Sequence, residues 1–113
     1  MSNVVGAWRL TTDWGCDGSI TGSFDQTFNA DGTWTAGGSN GRWFQVEGMV
    51  VWSYNSPAGL RYSANLSGSW MAGIQGYTDT TGLKGCFGGV RAGVPAAKAA
   101  GKGVDPLTGK AAK

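Results

Sequence analysis

Four times in this chain a glycine stands two residues ahead of a tryptophan. The runs are Gly6-Ala7-Trp8, Gly32-Thr33-Trp34, Gly41-Arg42-Trp43 and Gly68-Ser69-Trp70. Glycine lets the backbone turn or bend where a Cβ would clash. Each tryptophan falls in a run that reads as a strand, and Val50-Val51-Trp52 adds a fifth in a similar setting. The spacing predicts an all-β chain of short strands joined by sharp turns.

Period-two alternation places the strands. Val4 to Trp14 puts Trp8, Leu10, Thr12 and Trp14 on one face. Gly22 to Asn29 does the same with Phe24, Gln26 and Phe28. Asp31-Gly32 between strand-like runs marks a tight hairpin, with Thr33 to Ala36 as its return. Arg42 to Glu47 is a fourth strand, and Glu47-Gly48 a further turn. Met49 to Tyr54 follows with Val50, Trp52 and Tyr54 in phase. Pro57 and Gly59 break the ladder before Leu60 to Leu66, where Leu60, Tyr62, Ala64 and Leu66 alternate against Arg61, Ser63 and Asn65. Ser69 to Tyr77 is apolar on both faces, so its inward side is open. Leu83 to Arg91 is the eighth strand.

Length and glycine content agree with this. A chain of 113 residues is one domain by size. Its 21 glycines show no collagen period and are interleaved with apolar residues. No window before residue 92 has a helical apolar period. The chain therefore divides into a β-barrel domain, 1–91, and an Ala/Gly/Lys-rich C-terminal tail, 92–113, which reads as flexible unless docked on something. Charge divides the same way. Arg9, Arg42, Arg61, Lys84 and Arg91 face six carboxylates in 1–91, whereas Lys98, Lys102, Lys110 and Lys113 face Asp105 alone in the tail. The folded part has no basic patch, so no nucleic-acid partner is expected. No apolar run approaches 18 residues, so no membrane span is expected, and Met1-Ser2-Asn3 does not open a signal peptide.

Eight short strands with short connections fit an antiparallel up-and-down meander. Closing it into a barrel removes the raw edges. At this point the residues resemble a family. A Gly-x-Trp opening the first strand (Gly6, Trp8) and an arginine ending the last (Arg91) are similar to the calycin superfamily, the lipocalin and avidin type barrels. The runs Phe28 to Trp34, Gly41-Arg42-Trp43 and Val50-Val51-Trp52 look like those of small bacterial lipocalin-like domains. The resemblance covers residues 4–91. It implies that Trp8 closes the barrel floor with Arg91 packed over it, a cation–π contact, and that the interior takes a small ligand. Where the avidin type carries a polar residue that reads biotin, two places after the Trp, this chain has Leu10, so biotin is not the expected ligand.

The chemistry-bearing residues point away from an enzyme. Histidine is absent, which removes the commonest general base and metal ligand. Cys16 and Cys86 cannot make a four-ligand zinc site alone, no serine has a histidine to activate it, and no glycine cluster leads into a helix that would hold phosphate. Asp13 and Asp17 flank the Cys16 loop and read as its polar rim. No cofactor is expected. The two cysteines read either as a disulfide that staples strands one and eight or as two buried free thiols. A disulfide would favour a secreted, periplasmic or extracellular-surface setting.

Two functional readings remain. In the first, Trp8, Leu10, Trp34, Trp43, Trp52, Tyr54 and Tyr62 line an interior that binds a small apolar or aromatic ligand. In the second, those side chains merely fill the barrel, and an outward Trp70–Ile74 stripe, with the tail, contacts a protein partner or a second copy. The second requires Met71 and Gln75 to face inward.

Overall fold

The computed structural model of the chain describes residues 3–79 and 81–93. They form eight strands: β1 (Gly6–Trp14), β2 (Gly22–Phe28), β3 (Thr33–Ala36), β4 (Ser39–Val46), β5 (Met49–Tyr54), β6 (Leu60–Ser67), β7 (Trp70–Tyr77) and β8 (Lys84–Arg91). Each is hydrogen-bonded to its neighbours in chain order, and β8 returns to β1, so the sheet is a closed antiparallel barrel. This is the expected architecture. From residue 94 onward the tail lies outside the described residues. Among the described residues no helix is long and apolar enough to cross a membrane.

Turn chemistry sets the hairpins. At the β2–β3 turn, Gly32 takes φ of 88° and donates to the Asn29 carbonyl at 3.1 Å. Asp31 accepts from Thr33 N at 3.0 Å and from its Oγ1 at 2.6 Å. These bonds hold the Asp31 carboxyl below its ordinary value. At the β4–β5 turn the left-handed residue is Glu47, with φ of 52°, rather than the glycine after it. Two boundaries differ from the sequence reading by more than one residue. β1 begins at Gly6, because residues 3–5 leave the ladder to fold under the barrel. β4 begins at Ser39, because Ala36 pairs with Ser39 and the hairpin needs only Gly37-Gly38 as its loop.

The register puts one row of side chains inside. Leu60, Tyr62, Ala64 and Leu66 of β6 are buried, as their alternation predicts. β7 is settled by its neighbours. Met71 pairs with Leu66 and Gly89, and Gln75 with Tyr62 and Gly85. Both are buried, so Trp70 and Ile74 face outward.

Glycines govern how closely the strands approach. A Cβ on Gly73 would stand 2.6 Å from the Ala64 Cα and closer still to the Ser63 carbonyl oxygen. Both belong to the backbone of β6, which cannot swing aside as a side chain can. Gly73→Ala is therefore expected to cost about 2–3 kcal/mol, measured by urea denaturation. A loss below about 0.5 kcal/mol, the usual range for an inconsequential surface change, would show that β6 and β7 can separate freely. Gly41 serves in the same way against the Ser53 backbone of β5, and has a second role. Its missing Cβ would lie 2.7 Å from Trp34 Nε1, and the space lets that indole donate to the Ser53 carbonyl at 3.0 Å.

Candidate functional site

The two barrel ends are built differently. At the end where β1 starts, residues 3–5 form a short arm across the opening. Val4 is fully buried; its amide donates to Gln45 Oε1 at 3.0 Å, and its carbonyl accepts from Trp8 Nε1 at 2.8 Å. Arg91, paired directly with Trp8, lies over that indole with Cζ 4.6 Å from the ring centroid. Its guanidinium donates to the Val5 carbonyl at 3.1 Å and also to the Asn3 carbonyl. The charge is thus neutralised by carbonyl dipoles and the ring face, and this end is sealed.

Above the seal the lumen is packed with rings. Phe28 meets Trp52 edge-on at 5.0 Å, and Trp52 stacks on Tyr62 at 5.0 Å with planes 9° apart. Phe87 meets Trp52 at 5.3 Å and Tyr62 at 5.0 Å. Trp34 meets Tyr54 at 4.6 Å. Such edge and offset contacts add to the burial of the rings themselves. Trp43 sits edge-on to Phe28 at 6.2 Å, with Nε1 between the Asn29 and Thr33 carbonyls at 2.9 and 3.0 Å. The structure brings all seven candidate residues onto the inner face. It also sorts them. Trp8, Leu10, Trp34 and Trp52 are wedged in the packed part, while Tyr54 reaches the far end.

That far end is open on one side. β2 and β3 pair only at Thr27–Thr35 and Phe28–Trp34, so the upper half of β2 runs free of β3. A pocket of about 470 Å³ occupies the gap, lined by Phe24, Asp25, Ala36, Gly37, Ser39 and Tyr54. Trp14 and Tyr77 stack at 5.9 Å, from strand positions that also open on this end. Phe24, Trp14 and Tyr77 were not among the sequence candidates. Their signal was the period-two pattern itself, which carries Phe24 and Trp14 in phase with Gln26 and Trp8.

Tyr54 and Tyr62 are hydrogen-bonded to one another, with their rings 5.7 Å apart. Burial is the main cause that raises both phenols above their ordinary value; for Tyr62 the neighbouring Tyr54 raises it further. Folding therefore favours the protonated forms. That contribution is complete below the ordinary phenol value of 10.0 and is lost as pH climbs through the raised folded values, because the unfolded phenols ionise first. The expected result is a denaturation midpoint that falls above pH about 10, with the Tyr62 phenolate appearing in the absorbance spectrum only on unfolding.

Cys16 and Cys86 are joined in a disulfide, with Cα atoms 5.2 Å apart. It is compatible with the Arg91–Trp8 contact because Cys16 lies in the loop after β1 and Cys86 pairs with Asp13 on the outer face, whereas Trp8 pairs with Arg91 on the inner one. Asp13 corrects the sequence reading. It is fully buried, not part of a rim. Its carboxylate accepts from the amides of Asp17 at 3.2 Å and Gly18 at 2.8 Å, so the loop folds over it as a lid pinned by the disulfide. Asp13, Cys16 and Cys86 gather within ligand distance of one another, but both sulfurs are spent in the bond.

On the outside, Ile74 is 67% exposed beside the half-buried Trp70. A second apolar area lies across β4 and β5, where Phe44, Val46 and Met49 are exposed. No protein-family model, curated protein or solved structure matches this chain.

Proposed function

We propose that this protein is a non-enzymatic calycin-type barrel, of the lipocalin and avidin kind, that receives a small apolar or aromatic ligand. One observation carries the reading. The end sealed by Val4, Trp8 and Arg91 lies opposite an end where an aromatic-edged pocket of about 470 Å³ opens between β2 and β3. That volume is in the range of small-molecule sites. The ligand space falls in the upper half of the barrel, against Phe24 and Tyr54, with Tyr62 stacked behind Tyr54 at 5.7 Å. Trp34 supports Tyr54 edge-on at 4.6 Å. A disulfide closing the β1–β8 seam suits a secreted, periplasmic or extracellular-surface setting.

A second reading rests on the outward Trp70–Ile74 stripe, which suits a second copy or a protein partner. Native mass spectrometry of the purified protein separates the two. A bound small molecule on the monomer is the expected result. A ligand-free dimer would favour the second reading, and a bare monomer that takes up no ring compound would remove the first.

A further inference from the structure

The outer wall of the barrel carries a second pocket, apart from the mouth. It has a volume of about 390 Å³ and lies across β4, β5 and β6, in the size range of small-molecule sites. The strand register builds it. Trp43, Trp52 and Tyr62 pair side by side on the inner face, so their chain neighbours point outward. Arg42 pairs with Ser53, and Ser53 with Arg61, which sets an arginine on either side of one serine. Two residues along, on the same face, Phe44 pairs with Val51. All five line the pocket, and Phe44 is 59% exposed.

Neither arginine meets a carboxylate at contact distance. Among the described residues the one ion pair is Arg9–Asp25, on β1 and β2. Backbone oxygens orient Arg61. Its Nη1 donates to the Ala58 carbonyl and, at 3.2 Å, to that of Leu60, which leaves Nη2 and Nε without a partner among the described residues. Arg42 acts at longer range on the Asp31 carboxyl of the β2–β3 turn, which the Thr33 hydroxyl and amide, and then this charge, hold below its ordinary value. Two guanidiniums less that one carboxylate leave a single positive charge at the pocket. A carboxylate matches it, and accepts in the plane that a guanidinium fork offers. A phosphate monoester carries nearly two negative charges at neutral pH and would keep one unanswered. Beside the arginines, Phe44 and Val51 present apolar surface whose removal from water favours binding.

We infer that this outer pocket binds a small organic carboxylate with an apolar body, its carboxylate between Arg42 and Arg61 over Ser53 and its body against Phe44 and Val51. The site lies on the opposite side of the wall from the lumen, so it stands or falls apart from the ligand-binding reading above. The test is titration of the isotope-labelled full chain with phenylacetate, phenylacetamide, acetate and phenyl phosphate, followed by NMR of the backbone amides and the arginine Nε–H groups.

Phenylacetate is expected to bind about tenfold or more tightly than phenylacetamide, the scale of a charge-assisted hydrogen bond, and about tenfold more tightly than acetate, the scale of burying a ring face. Its shifts should centre on Arg42, Ser53 and Arg61. Arg61→Gln is expected to lower the affinity about tenfold. If that change loosens the loop whose carbonyls Arg61 holds, Arg42→Gln makes the same measurement. Phe44→Ser should remove the preference for phenylacetate over acetate and leave acetate binding unchanged. Phenylacetamide binding as well as phenylacetate, or phenyl phosphate binding better, would overturn the carboxylate assignment. Shifts centred on Phe24 and Tyr54, indifferent to both arginine changes, would overturn the outer site while supporting the mouth pocket. No binding of phenylacetate would also overturn the outer site, whatever the lumen does with neutral ring compounds.

Discussion

Trp52→Ala is expected to lower the unfolding free energy by about 3–5 kcal/mol, the range for removing a large buried aromatic. Trp52 is 1% exposed and holds the centre of the ring cluster, touching Phe28, Tyr62 and Phe87 at centroid distances of 5.0, 5.0 and 5.3 Å. Those three rings come from β2, β6 and β8, different staves of a closed wall. None can move inward to fill the space without dragging its strand, so the hole stays open, and cavities that cannot collapse are the costly ones. A domain of this size has only about 5–15 kcal/mol in total, so the variant will sit near its unfolding limit. Trp52→Phe keeps a ring against Tyr62 and discards an indole N–H that has no partner. It is expected to lose less than half as much. Guanidinium denaturation of both variants measures the difference. Equal losses would mean that the indole's second ring, and not the stack, is what the centre needs.

Removing the disulfide is the second large effect. Cys16 and Cys86 are separated by 70 residues, and releasing a loop of that length restores unfolded-chain entropy worth about 4 kcal/mol on the loop-closure model. The Cys16→Ser/Cys86→Ser double variant is expected to lose roughly that amount. The barrel should nevertheless close, because β1 and β8 keep a ladder from Trp8–Arg91 to Trp14–Gly85 without it. Circular dichroism should thus match the parent while the denaturation midpoint falls. The local consequence is at Asp13. Its carboxylate is buried under the loop that the disulfide pins, so amide exchange at Asp17 and Gly18 should speed up before anything else changes. A variant with an unchanged midpoint would mean that the unfolded chain is already held together near these positions.

Some of this was legible in the residues. The alternation in Leu60 to Leu66 needed no help, since one face of that strand is apolar and the other polar. β7 could not be read alone, because Trp70, Met71, Ala72 and Ile74 make both of its faces acceptable inside. Its parity came from pairing Met71 with Gly89 and Leu66, since only a glycine opposite leaves room for methionine beside Leu10. Asp13 misled for a related reason. A carboxylate next to a glycine-rich loop looks exposed in sequence, and whether the loop folds back over it depends on a bond to a residue far along the chain.

The division at the candidate site follows the same line. Local rules of period, turn geometry and glycine placement act over a few residues, and they were enough to specify eight strands, their order and, outside β7, the row of side chains pointing inward. They also marked Gln26 as the polar member of an apolar row. They could not say which rings would fill the lumen and which would edge an opening, because that depends on how far β2 and β3 pair before they part. Nor could they say that Gln26 and Gln75 would be buried without partners, since every potential partner lies on another strand. Those facts arise from the closure of the barrel, which brings distant rows into one small space and leaves each polar atom only the neighbours found there.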